Sequence, residues 1–91
     1  MHKGILVKYK GGISKLFNQE EEWIEYEPHL SLEGLLTKVF QSHHIDEKNQ
    51  IINQQSVLLT LNGTFIPLFE AGKTMLQAGD VIFLFPTIAG G

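Results

Sequence analysis

None of the 91 residues is cysteine. That excludes disulfides, thiolate nucleophiles, and zinc or iron–sulfur centres held by cysteine. Arginine is missing as well. All seven basic residues are lysines (Lys3, Lys8, Lys10, Lys15, Lys38, Lys48 and Lys73), scattered against ten acidic residues for a net charge of −3. Nucleic-acid binders need a clustered basic face, commonly built on arginine, so no nucleic acid is expected as a partner. Long apolar runs are also lacking. The longest is Val81–Phe85, against the ~18 residues of a membrane span, so no membrane is expected either. Met1–Ile5 opens onto an alternating segment with no apolar leader, which makes a reducing, cytoplasmic location the expectation.

What is present is an ordinary globular composition, 43% hydrophobic and 19% charged, with length for one core and not for two. Ile5, Val7 and Tyr9 alternate with Leu6, Lys8 and Lys10, and Gly11-Gly12 ends that first strand. Ile13–Phe17 is apolar enough to reach the core but too short to declare a helix, and Asn18–Glu21 reads as a loop. A second strand follows over Glu22–Glu27, with Ile24 and Tyr26 opposite Trp23, Glu25 and Glu27, until Pro28 stops it.

The best-marked element is a helix capped by Ser31. Leu32, Leu35, Leu36, Val39 and Phe40 fall on one stripe, and Leu30 is placed to staple onto Leu35. The pattern dissolves past Gln41 into the polar stretch His43–Gln50, read as a loop. Val57–Leu61 is a third strand, and Asn62-Gly63 turns it directly into Thr64–Ile66, since a type I′ turn needs positive φ at both central positions. Pro67 makes the returning strand short or peripheral. Leu68–Gln77 is turn-rich, Ala78-Gly79-Asp80 reverses the chain, and Val81–Phe85 is apolar on both faces, which makes it a central strand. The order of elements predicts an α+β fold, a sheet of about five strands with one main helix across one face.

Few residues offer chemistry. His43-His44 lack the spacing of metal ligands, and no metal site is expected. Glu20-Glu21-Glu22 read as a solvated edge, and no serine sits in a nucleophile elbow. The remaining candidate is the end of the chain. Gly90-Gly91 presents an α-carboxylate on a stalk without side chains, able to thread a slot where any Cβ would clash. Adenylation would turn that inert carboxylate into an acyl electrophile open to a sulfur nucleophile.

Ala78-Gly79-Asp80-Val81, the apolar strand through Phe85-Pro86 and the ending Thr87-Ile88-Ala89-Gly90-Gly91 resemble the MoaD/ThiS-type sulfur-carrier proteins, as does Asn62-Gly63-Thr64-Phe65 before them. The resemblance implies a ubiquitin-like β-grasp domain over residues 1–86 and a flexible tail over 87–91. It implies a chain with no activity alone and no cofactor of its own. An E1-like partner using ATP and Mg would adenylate Gly91, which then becomes a thiocarboxylate. In the branch most resembled, that sulfur serves molybdopterin synthesis, with the tail inserted into the large catalytic subunit of molybdopterin synthase. Gly90 would give the slender approach, and Ala89, Ile88, Thr87 and Pro86 would line the partner's channel. Phe85 and Phe65 match partner-contact positions or serve as ordinary core. The alternatives are a ubiquitin-like protein modifier joined to a target lysine, or a carrier for another pathway (thiamine thiazole, tRNA thiolation, tungsten cofactor).

Overall fold

The computed structural model describes residues 4–43 and 57–86. The tail residues 87–91, and nearly all of the Ser42–Gln55 stretch that the sequence marks as an insertion, lie outside the described residues. Five strands form one mixed sheet: β1 (Gly4–Tyr9), β2 (Glu21–Glu25), β3 (Val57–Leu61), β4 (Thr64–Ile66) and β5 (Val81–Pro86), in the order β2-β1-β5-β3-β4. The expected centrality of the last strand holds. β5 runs parallel to β1 on one side and antiparallel to β3 on the other.

Two helices lie on the sheet's covered side. The main one, α2 (Leu32–Ser42), starts where the cap is placed, with the Ser31 hydroxyl accepting from the Gly34 amide at 3.0 Å. Its stripe of Leu32, Leu35, Leu36, Val39 and Phe40 is buried against Ile5, Val7, Tyr9, Leu59, Ile82 and Leu84. Ile13–Phe17 does form a helix, α1 (Gly12–Phe17), because Ile13 and Phe17 at i and i+4 both enter this core. The turn-rich stretch contains a 3-10 helix over Leu68–Lys73, whose Ala71 is buried. No described helix is long and apolar enough to cross a membrane.

The hairpin forms as the Asn-Gly signal requires, with positive φ at Asn62 (51°) and Gly63 (88°) and Leu61 opposite Thr64. Two polar expectations change. Glu22 pairs in register with buried Val7 and so faces the covered side, where its carboxylate accepts from the Tyr9 hydroxyl and from His43 Nε2 (2.7 Å). Neither Glu22 nor His43 is therefore a solvated surface group. Both are half-buried at the end of α2, with the Phe17 ring stacked on Tyr9 and edge-on to His43. Burial above all, then the hydrogen bond to Glu22 and its negative charge, push the Tyr9 phenol far above its ordinary value.

Candidate functional site

Strand alternation gives the sheet a second face on which none of the described helices lies. Along β5, Ile82 and Leu84 point into the core, which leaves Val81, Phe83 and Phe85 on the opposite side. Register then assembles their neighbours. Phe85 lies beside Leu58, Phe83 between Lys8 and Thr60, and Thr60 beside Phe65. Phe83 and Phe85 stack with centroids 5.6 Å apart and planes 11° from parallel. Leu58 is 41% and Phe65 55% exposed, far more than packing within one domain requires. On the other side of β1, Trp23 stands across from Leu6 and is 46% exposed.

The apolar surface does not stop at β4. Leu58, Phe65, Pro67 and Phe69 border a groove of ≈ 290 Å³ at that corner, and Phe69 is 81% exposed. Its opposite margin carries charges of both signs, Lys8 and Lys10 on β1 and Glu21 and Glu25 on β2. Lys8 and Lys10 place their ammonium groups 5.6 and 5.3 Å from the Phe83 centroid, within cation–π range. Glu21 faces Lys8 at 3.7 Å, an exposed pair of small energetic weight.

The same strand that carries the phenylalanines ends at Pro86, opposite Val57. Pro86 is exposed, and its ring lies over the turn between β1 and α1. Phe65 and Phe85, named from the sequence as core or partner contact, share the open face, and Phe65 is too exposed to be core. Thr87, Ile88, Ala89, Gly90 and Gly91 lie outside the described residues. Sequence reading missed Phe83, Leu58, Lys8 and Lys10 as members of this surface, although period-two alternation in β3 and β5 already carried the signal. Among the described residues, no three histidine or acidic side chains gather as metal ligands would.

Asp80 belongs to the turn that launches β5. Its carboxylate accepts from the Gln77 amide (2.8 Å) and from Asn62 Nδ2 (3.0 Å), while Asn62 Oδ1 takes the Val81 amide (2.9 Å). The hairpin and the start of β5 are thereby tied together through both oxygens of the Asp80 carboxylate.

The sequence model of the ThiS family matches residues 7–91. No curated protein matches by sequence. Among solved structures, the chain is similar to Urm1 from Trypanosoma brucei, with 21% identity, 99% of this chain and 97% of that one covered, and a TM-score of 0.75. It is similar to a chain of the complex of subunits 1 and 2 of molybdopterin-converting factor from Helicobacter pylori, at 23% identity, 97% and 99% coverage and a TM-score of 0.60. It is also similar to small archaeal modifier protein 1 from Methanosarcina acetivorans, at 19% identity, 100% and 99% coverage and a TM-score of 0.73. These likenesses establish the fold as the ubiquitin-like β-grasp.

Proposed function

Since this chain belongs to the ThiS family of ubiquitin-like sulfur carriers, we propose that the Gly91 carboxylate is its working group. An E1-like partner activates that carboxylate with Mg-ATP: an oxygen attacks the α-phosphorus, pyrophosphate leaves, and an acyl adenylate remains. Hydrosulfide then attacks the acyl carbon and AMP leaves, and the resulting thiocarboxylate donates sulfur in molybdopterin synthesis. The chain acts there as the small subunit of molybdopterin synthase, beside a large catalytic subunit. The complex of molybdopterin-converting factor subunits 1 and 2 supports that assembly as a precedent.

One observation carries the reading. The apolar open face and the stem of the tail are the same strand, β5, so a partner seated on Phe83, Phe85 and Leu58 meets the chain where the last five residues depart. Docking and delivery are thereby coupled through a rigid central strand, not through a loop. Phe65 and the groove beside Phe69 extend the seat, and aromatic anchors of this kind dominate interface energies. Gly90, Ala89, Ile88, Thr87 and Pro86 pass through the partner's channel to present Gly91.

Activation in vitro tests the proposal. Deleting Gly91, or adding one residue after it, is expected to abolish ATP-dependent pyrophosphate release while leaving the fold intact. Normal activation of both variants would contradict it. The likeness to a small archaeal modifier protein supports a second use of the same activated carboxylate, isopeptide transfer to a lysine. High-molecular-weight conjugates that require Gly91 would favour that route.

A further inference from the structure

The stem of the tail rests on a glycine. Gly11, in the turn between β1 and α1, has φ 57° and ψ −139°, a combination that side-chain-bearing L residues rarely adopt. A Cβ built on it would lie 2.9 Å from Cγ of Pro86 and 3.3 Å from its Cδ. The Pro86 ring therefore occupies the space that Gly11 leaves open. Neighbouring bonds hold both sides of this contact: the Lys10 amide donates to the Leu84 carbonyl at 3.0 Å, and the Ser14 hydroxyl and amide both bond back to the Gly11 carbonyl, at 2.8 and 3.1 Å. Gly12, its neighbour, has nothing within 4 Å of an added Cβ.

We infer that Gly11 is a positioning residue for the stem of the tail, seating the Pro86 ring over the β1–α1 turn at the point where the chain leaves β5. The inference rests on the reading of Gly91 as the activated group, and it assigns that reaction a determinant far from it in sequence. Proline fixes its own φ, so the seat of its ring also places its own carbonyl carbon, the atom from which the tail continues. A Cβ at position 11 must displace the ring or reshape the turn, and either turns the stem.

Two measurements test this in the full chain. Because the chain has no cysteine, Ala89→Cys carries a single nitroxide label, and the amides it broadens in NMR spectra report the tail's heading. Gly12→Ala is expected to reproduce the wild-type broadening pattern and Gly11→Ala to redistribute it. An unchanged pattern in Gly11→Ala overturns the inference. Should Gly11→Ala fail to fold, Pro86→Ala removes the ring from the other side of the contact, and the same two outcomes decide.

The second measurement is adenylation of the unlabelled chain. The carrier is the enzyme's substrate, so a smaller folded fraction raises KM alone, whereas a misaimed tail lowers kcat, here by about tenfold in Gly11→Ala. Wild-type kcat in that variant contradicts the inference. If the wild-type chain itself is not adenylated, the reading of Gly91 fails, and the nitroxide comparison decides the role of Gly11 independently.

Discussion

At the scale of single residues, the polar groups of the described structure divide into those that hold the scaffold and those that could meet a partner. Asp80 holds the scaffold. Asp80→Ala removes the acceptor of the Gln77 amide and of Asn62 Nδ2, which is expected to cost about 1–2 kcal/mol of stability. Denaturant titration measures that cost, and the adenylation rate at saturating carrier is expected to stay unchanged. A slower rate at intact stability would place Asp80 in the chemistry instead.

Tyr9 makes a pH-dependent contribution whose sign follows from its raised phenol. In the unfolded chain the phenol ionises near its reference value of about 10. The folded chain keeps it protonated well above that, through burial and the Glu22 carboxylate. The unfolded state then binds fewer protons, so this contribution is complete below about pH 10 and is lost as pH rises further. Tyr9→Phe is expected to cost about 1–2 kcal/mol at pH 7, through the lost hydrogen bond to Glu22. The decline above pH 10 should be shallower in the variant than in the wild-type chain when both are unfolded by urea across pH 7–11. Parallel curves would exclude Tyr9 as its source.

At the scale of elements, β5 has two faces with two tasks, and substitutions should separate them. Leu59, on the neighbouring β3, is 1% exposed, and Leu59→Ala is expected to destabilise by about 2–5 kcal/mol. Phe65, on β4, is 55% exposed, so Phe65→Ala should change stability by less than about 1 kcal/mol. It should nevertheless weaken binding to the proposed large-subunit partner at least tenfold, as calorimetry of the purified pair would measure. Wild-type affinity in Phe65→Ala would remove the open face from the interface.

The same scale shows why some elements were legible in the sequence. α2 announced itself through the Ser31 cap and five apolar positions in one stripe, and the β3–β4 hairpin through Asn62-Gly63. α1 was hidden because six residues offer only Ile13 and Phe17 as a periodic pair, and such a helix forms by packing, not by propensity. Glu22 misled because a charge on an edge strand usually faces water; only the folded chain brings Tyr9 and His43 to it. Phe65 and Phe85 came from family resemblance, whereas Phe83, Leu58 and the two lysines needed strand register to become one surface.

At the scale of the whole molecule, one face of a five-stranded sheet is used to fold and the other is covered by none of the described helices. The central strand connects both to the stem of the tail. Lys8 and Lys10 over Phe83 stand beside Glu21 and Glu25 of β2, so the open face carries charges of both signs next to its apolar centre.

The most direct measurement is mass spectrometry of the terminal peptide after incubation with an adenylating enzyme, ATP and a sulfur donor. The account predicts an oxygen-to-sulfur mass increase confined to the peptide ending in Gly91, dependent on ATP and absent when Gly91 is deleted. An unmodified terminal peptide, under conditions in which the same enzyme loads a known carrier, would contradict it.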